Sequence, residues 1–368
     1  MDNGNTDTIA IKIGSNVLTC TNGTLDTQRM ESLVSDIAQL HAEGRKIILV
    51  SSGAVAAGRS IVKNFATLEP VAQRQLLSSV GQVMLIDIYK RLFDKHNIQI
   101  GQVLVTKQDF RTREHYLNIK NCIEALWECH VIPVVNENDA ASVTALMFTD
   151  NDELSGLLAS MMDCRKLFIL SNIDGIYNGD PHADDTSVIR QINPSDNVAQ
   201  YVRTTKSGFG RGGMQTKCRT AQKTAASGID VYIANGTTPR VITRLASGDA
   251  TFVCTHFVAG EHSPAVKKWI AYSDGFARAA VTVNDGAKAA LLSHTKAASL
   301  LLPGVTAFEG NFMKDDLLLV RDEQGKAIGV GRAGMDKEKA VKLIGTKHTK
   351  PLIHYDYLYI YPSYPSNT

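Results

Sequence analysis

Strand-like and helix-like stretches alternate through the first 245 residues of this 368-residue chain, and no other feature narrows the fold as much. Runs rich in β-branched residues fall at 8–13, 46–50, 98–105, 131–135, 166–170 and 230–234. Between them, residues 26–42, 70–94 and 113–128 repeat apolar side chains at helical spacing. Such alternation predicts an α/β fold, a mainly parallel sheet covered by helices on both faces in three αβα layers. The pattern stops near residue 247. Residues 251–264 show no period and read as a linker. Beyond them, strand-like pieces at 279–283, 317–321, 327–330 and 358–361 are separated by turn signals such as Asn284-Asp285-Gly286 and by one short helix at 287–292. That describes a small, mostly β, barrel-like domain. The expected division is an α/β domain over 1–250, a linker over 251–264 and a β domain over 265–361.

Charge narrows the function little. The chain carries 39 basic and 37 acidic side chains, so global charge points to no particular partner. Residues 262–368 hold 14 basic against 10 acidic, a mild basic bias in the tail. The six cysteines form no Cys-x-x-Cys pair and match no zinc spacing, so reduced thiols and no bound metal are expected. The N-terminus is polar, without the apolar core of a signal peptide, and no apolar run approaches the roughly 20 residues that span a bilayer. A cytoplasmic protein with no membrane partner is the expectation.

Ligands of parallel α/β sheets gather beyond the carboxyl ends of the strands. The polar motifs here follow strand ends. Lys12 lies in the apolar run Ile9-Ala10-Ile11-Lys12-Ile13, where an ammonium needs a partner or a task. It stands two residues before Gly14-Ser15, within reach of a phosphate cradled by that loop; an edge-strand lysine in water is the plainer alternative. Ser51-Ser52-Gly53-Ala54 ends a second run with small residues and opens a helix whose free N–H groups suit an anion. A third run passes into Asn136-Glu137-Asn138-Asp139 and, after ten further residues, Asp150-Asn151-Asp152-Glu153. So many acids and amides make a cup suited to the ammonium and carboxylate of one small molecule; a pair of Asx-rich turns is the bland reading.

The loop Gly208-Phe209-Gly210-Arg211-Gly212-Gly213 has the spacing G-x-G-x-x-G. The dinucleotide reading fails on context, because residues 201–207 are basic and polar and Asp230 opens the next strand. No Gly-Lys-Ser/Thr closes a Walker A loop either. What remains is a glycine loop that enters a helix through Met214-Gln215-Thr216-Lys217, an anion site with a mobile cation in Lys217.

Taken in order, Lys12-Ile13-Gly14-Ser15-Asn16-Val17-Leu18, Ser51-Ser52-Gly53-Ala54-Val55-Ala56-Ala57-Gly58, Asn136-Glu137-Asn138-Asp139, Asp150-Asn151-Asp152, Gly212-Gly213-Met214 with Lys217, and Ala234-Asn235-Gly236 resemble the amino-acid kinase family, in its glutamate-phosphorylating branch. In the tail, Lys268-Trp269-Ile270, Asn284-Asp285-Gly286-Ala287, Gly304-Val305 and Gly310-Asn311-Phe312 resemble a PUA domain. Together the resemblance covers nearly the whole chain. It implies transfer of a phosphoryl group from ATP, with Mg²⁺, to the γ-carboxylate of L-glutamate, the first step of proline biosynthesis. By that resemblance Lys12 and Lys217 meet the transferring group, and Asp152 holds both lysines. Ser52, Gly53, Asn136, Glu137, Asp139, Asp150 and Asn151 then form the glutamate site. Lys12, Ser171, Asn172 and the stretch Arg211-Gly212-Gly213-Met214-Gln215-Thr216-Lys217 meet the nucleotide. A homo-oligomer, dimer or tetramer, and proline as a feedback inhibitor are implied as well.

The chemistry agrees with these residue types. A γ-carboxylate with a pKa of about 4.3 is ionised at neutral pH, so no general base is needed, and the motifs offer no compelling histidine. The demand is to bring an anion against a polyanion, which cations and helix N-termini meet. Three positions depart from the family pattern: Thr149 where Gly is usual, Arg211 where Thr is usual, and Asn172 where many members have Asp. A β-branched residue at 149 restricts its backbone, and Arg211 adds a phosphate contact or alters nucleotide affinity. Two other readings stand. One is another amino-acid kinase, acting on acetylglutamate, aspartate, carbamate or a nucleotide, of which the free ammonium implied by Asp139 disfavours the first and last. The other is an RNA-binding protein acting through the basic tail, with nucleic acid as its partner.

Overall fold

The computed structural model describes residues 7–110, 113–141, 148, 150–179, 186–194, 196, 213–261, 265–272, 276–277, 279–293, 298–344 and 350–361. The chain divides into two compact units, Met1–His262 and Ser263–Thr368.

In the first unit, strands β1 (Thr8–Ile13), β2 (Lys46–Ser51), β3 (Ile100–Val105), β4 (Ile132–Glu137), β5 (Lys166–Ser171), β6 (Gln191–Ile192), β7 (Asp230–Asn235) and β8 (Thr255–Phe257) form one sheet. Its order is β3-β4-β2-β1-β5-β7-β8-β6. The six strands from β3 to β7 in that order run parallel, while β8 is antiparallel to β7 and carries β6 alongside it. The connecting helices are α1 (Ser15–Leu18), α2 (Thr27–Ala42), α3 (Ala54–Ile61), α4 (Pro70–Asp94), α5 (Arg113–Glu128), α6 (Asn151–Met161), α7 (Met214–Ala225) and α8 (Val241–Ser247). The expected α/β architecture with a mainly parallel sheet is the one observed.

Local sequence explains the elements. The central strand β1 buries every residue from Ile9 to Ile13, as a parallel strand covered on both faces must. Asp26 starts α2 by accepting the Arg29 N–H at 2.9 Å, and Met30, Leu33, Val34 and Ile37 then turn one face into the core. Pro70 in the first turn of α4 gives up only a donor that would have had no partner. Helix α4 then lies directly on α3. A Cβ added at Gly81 would stand 1.8 Å from the Ala54 carbonyl oxygen, and one at Gly58 1.9 Å from that of Leu77. The two backbones therefore touch where any side chain would collide, which fixes the half of α4 that carries Arg74 and Gln82.

One expectation changes. Residues 255–257, placed in the linker by sequence, hydrogen-bond along β7 inside the sheet, because three residues are too few to show a period. Helix α6 shows no amphipathic stripe in sequence because Leu154 to Met161 are buried all round.

In the second unit, α9 (Ala265–Ala271), β9 (Ala279–Val283), α10 (Asp285–Leu292), β10 (Val305–Glu309), β11 (Leu317–Arg321), β12 (Ala327–Arg332), α11 (Lys337–Leu343) and β13 (Leu358–Ile360) follow in chain order. The strands form a sheet in the order β10-β9-β11-β12-β13, with β9 and β11 parallel and the other pairs antiparallel. Asn284 caps α10 by accepting the Ala287 N–H at 2.8 Å. Val281, Val283, Leu318, Val320, Leu352 and Ile353 form its core. Among the described residues these five strands form the sheet of the small, mostly β unit expected from sequence.

Candidate active site

The first unit reverses its winding at β1: β2 lies on one side and β5 on the other. Such a switch point opens a crevice beyond the strand ends. The backbone carries the ladder past those ends, with Ser52 N–H on the Ile13 carbonyl at 3.1 Å, Gly14 N–H on Leu170 at 3.1 Å and Gly236 N–H on Ser171 at 2.8 Å. The motifs after β4, β2, β1, β5 and β7 thus line one edge of the sheet.

At its centre is a buried carboxylate held by two lysines. Asp152, in the first turn of α6, has no exposed surface. Its Oδ1 lies 2.5 Å from Lys12 Nζ of β1, and its Oδ2 lies 2.9 Å from Lys217 Nζ of α7. Three residues 65 or more positions apart, on three elements, meet at one anion. Burial alone would raise the Asp152 carboxyl, but the two ammoniums outweigh it and hold it well below the usual carboxylate range. Burial likewise opposes the Lys217 ammonium, and Asp152 with Asp150 outweighs it, so Lys217 stays protonated. Asp150 caps α6, its Oδ1 accepting the N–H groups of Asp152 at 2.9 Å and Glu153 at 3.1 Å. Its Oδ2 is buried and has no hydrogen-bond partner among the described residues, and burial raises its pKa.

Beside this centre stands the cup. Asn151 Nδ2 donates to Asn136 Oδ1 at 2.9 Å and Ser52 Oγ at 3.0 Å, with the Ser51 carbonyl at 3.2 Å. Asn136 in turn donates to Gln82 Oε1 at 2.9 Å. One amide chain therefore ties α6, β4, α4 and the turn after β2. Gly53 adopts φ +106° at the start of α3, a left-handed value that a side chain would strain. On the outer wall, Arg74 Nη2 lies 2.5 Å from Asp139 Oδ1 and 3.9 Å from Glu137 Oε2. Burial raises Asp139, with Arg74 opposing, and pushes Glu137 up to about 7. Glu137 Oε1 accepts the Phe148 N–H at 2.9 Å, so this residue builds the wall as much as it faces the cup.

Because the folded Glu137 carboxyl titrates near 7 and the unfolded one near 4.5, its stabilising protonated form is complete below 4.5 and lost as pH rises through 7. Glu137→Gln is therefore expected to be about 1–3 kcal/mol more stable than the parent at pH 8 and nearly equal to it at pH 4.5, measured by urea unfolding. Equal stability at both pH values would show that burial of this charge costs nothing.

The other end of the crevice suits phosphates. A Cβ at Gly14 would stand 3.1 Å from the Leu170 carbonyl and 3.4 Å from Lys12 Nζ, so glycine there keeps the ammonium accessible. Gly213 precedes α7, whose first turn, Met214, Gln215 and Thr216, leaves backbone N–H groups free of helical partners. Ser171 is buried at the end of β5 and Asn172 is exposed beside it, 3.4 Å apart. Arg211, Gly212 and Thr149 lie outside the described residues.

The residues that sequence reasoning missed are cations and amides on α4 and beyond β3. Arg74, Ser78 and Gln82 recur four residues apart on α4 and so share one face of the helix. Lys107 pairs with Glu153 at 2.9 Å, and nothing in its sequence context marks it.

Residues 7–235 match the model of the amino acid kinase family. The chain belongs to that family. A glutamate 5-kinase of Bacteroides thetaiotaomicron is 52% identical over 353 residues, 96% of this chain and 98% of that one. One from Chlorobaculum tepidum is 48% identical over 355 residues, 96% and 97% of the two chains. Among solved structures, a carbamate kinase from Giardia lamblia bound to AMP-PNP superposes with a TM-score of 0.51 at 20% identity, covering 70% of this chain and 99% of that one. That likeness shows the fold alone. Residues 279–355 match the PUA domain, so this amino acid kinase carries a PUA unit after its kinase unit. Among the described residues no helix is long and apolar enough to cross a membrane.

Proposed function

We propose that the chain transfers the γ-phosphoryl group of ATP to the γ-carboxylate of L-glutamate, giving L-glutamyl 5-phosphate and ADP for proline synthesis. The observation that carries this reading is the Lys12–Asp152–Lys217 cluster at the strand-end crevice, beside a cup of acids and amides. A γ-carboxylate oxygen bonds to the γ-phosphorus as the bond to the β,γ-bridging oxygen breaks. The carboxylate arrives ionised, so the chain supplies charge and alignment instead of a base. Lys12 and Lys217 neutralise the phosphoryl oxygens in a partly dehydrated site, where each contact counts for more than in water. Asp152 is too acidic to take a proton; it positions both ammoniums.

Gly14, Ser171, Asn172, Gly213 and the first turn of α7 hold the nucleotide phosphates, with Arg211 and Gly212 assigned by resemblance. Among the described residues no group of three or more His, Cys, Asp or Glu side chains is arranged to hold a metal. Mg²⁺ would arrive with the ATP phosphates, where it would supply further neutralising charge. Ser52, Gly53 and Asn151 shape the glutamate pocket, and Asp139 takes the α-ammonium. Asp139→Ala is therefore expected to raise the KM for glutamate at least about 10-fold and leave that for ATP within about 3-fold. A change confined to ATP would misplace the cup. A homo-oligomer and proline inhibition rest on the family resemblance and are tested by sizing of the protein and by initial rates with and without proline; a cytoplasmic location rests on the cysteine spacing.

The reading is tested by incubating the purified protein with Mg-ATP, L-glutamate and hydroxylamine, which traps the acyl phosphate as γ-glutamyl hydroxamate. Glutamate-dependent hydroxamate supports it. ATP binding without hydroxamate would direct the search to another carboxylate.

A further inference from the structure

Arg74 is spent on one oxygen only. Its Nε and Nη2 both donate to Asp139 Oδ1, at 3.0 and 2.5 Å. Asp139 Oδ2 and Arg74 Nη1 have no partner among the described residues. The pair is only partly dry, with side-chain exposures of 24% for Arg74 and 11% for Asp139. The neighbouring Glu137 carboxylate stands 3.9 Å off, against 2.5 Å for Asp139, so Asp139 is the guanidinium's principal partner. Lys107, the cation on the other side of these acids, is already paired with Glu153 at 2.9 Å.

An ion pair with one free acceptor and one free donor is the complement of a zwitterion. The α-carbon head of an amino acid presents an ammonium and a carboxylate side by side. Its ammonium fits Asp139 Oδ2 and its carboxylate fits Arg74 Nη1, so each charge of the pair meets its opposite and no net charge is buried. The cup also needs such a cation. Asp139 alone would repel a substrate carboxylate at the end remote from the lysines, and Arg74 offsets that charge.

We propose that Arg74 of α4 is a specificity-determining residue that binds the free α-carboxylate of the substrate and so selects an intact α-amino acid over one whose α-carboxylate is masked. The assignment rests on the glutamate reading for the identity of the ligand, but it concerns binding and not turnover. It also gives a purpose to the side-chain-free contact of Gly58 and Gly81, which sets α4 close enough for Arg74 to reach the cup.

The test is calorimetric titration of the full chain with L-glutamate and with its α-amide, which keeps the ammonium and the γ-carboxylate. The parent protein is expected to bind glutamate about 10–100-fold more tightly than the α-amide. In Arg74→Ala the glutamate affinity falls by about that factor while the α-amide changes less than about 3-fold, so the preference disappears. Arg74→Lys, which keeps a charge, is expected to retain part of it, and serves also if the alanine variant unfolds. Equal weakening of both ligands would make Arg74 a mere support for Asp139 and overturn the proposal. So would a parent protein that binds both alike, or that binds neither. Discrimination without any hydroxamate formation would instead sink the activity reading and leave this one standing.

Discussion

Asp152→Asn is expected to lower kcat by about 10³-fold or more and to destabilise the fold at neutral pH. The carboxylate is fully buried and holds Lys12 at 2.5 Å and Lys217 at 2.9 Å. An amide of the same size leaves two ammoniums facing each other without a counter-charge, so both donors lose their aim at once. Removing one charge-stabilising donor typically costs roughly 10²–10³ in rate, and misplacing two sets the expectation at the upper end or beyond. Breaking a buried ion pair costs about 3–5 kcal/mol of stability. The folded Asp152 carboxyl lies below its unfolded value of 3.8, so its stabilisation is complete above that pH and is lost as pH falls from there through the lower folded value. The stability gap between parent and variant, measured by denaturant unfolding, should be full at pH 7 and close in acid. A variant with near-normal kcat would remove Asp152 from the mechanism.

Lys217→Ala is expected to cut kcat by roughly 10²–10³ while moving the KM for glutamate less than about 3-fold, because the proposed role sets its ammonium at the transferring group and not at the cup. Lys12 remains on Asp152 in this variant, so the folded state keeps half of the buried cluster. Initial rates at saturating ATP with glutamate varied separate the two constants. An unchanged kcat, or a loss confined to glutamate KM, contradicts the role.

Much of this was legible in the residues, for physical reasons that can be named. β1 and α4 were readable to within a residue because a buried strand is a continuous apolar run and a long helix repeats its period many times. Lys12 stood out because an ammonium inside such a run demands a partner, and the structure supplies Asp152. The union of Asp152 with Lys217 was not readable from spacing: 65 positions separate them, and only the crossing of α6 and α7 brings them together. The sequence resemblance carried that pairing instead. Residues 151–161 hid their helix because burial on all sides erases the stripe that betrays a surface helix. Arg74 was passed over because its partners, Glu137 at the end of β4 and Asp139 just beyond it, stand more than 60 positions away, and an arginine on a helix is ordinarily a solvated one. The expectation that Asp139 meets a substrate ammonium is refined by this arginine, which already occupies one of its two oxygens.

The most direct measurement of the central claim follows oxygen. L-Glutamate labelled with ¹⁸O in its γ-carboxylate is incubated with the protein, Mg-ATP and hydroxylamine, and the released inorganic phosphate is analysed by mass. If the γ-carboxylate is the nucleophile, hydroxylamine attacks the acyl carbon, the carbon–oxygen bond breaks, and each phosphate released carries one ¹⁸O from glutamate. Phosphate free of label would mean that water, not glutamate, took the phosphoryl group, and would contradict the account.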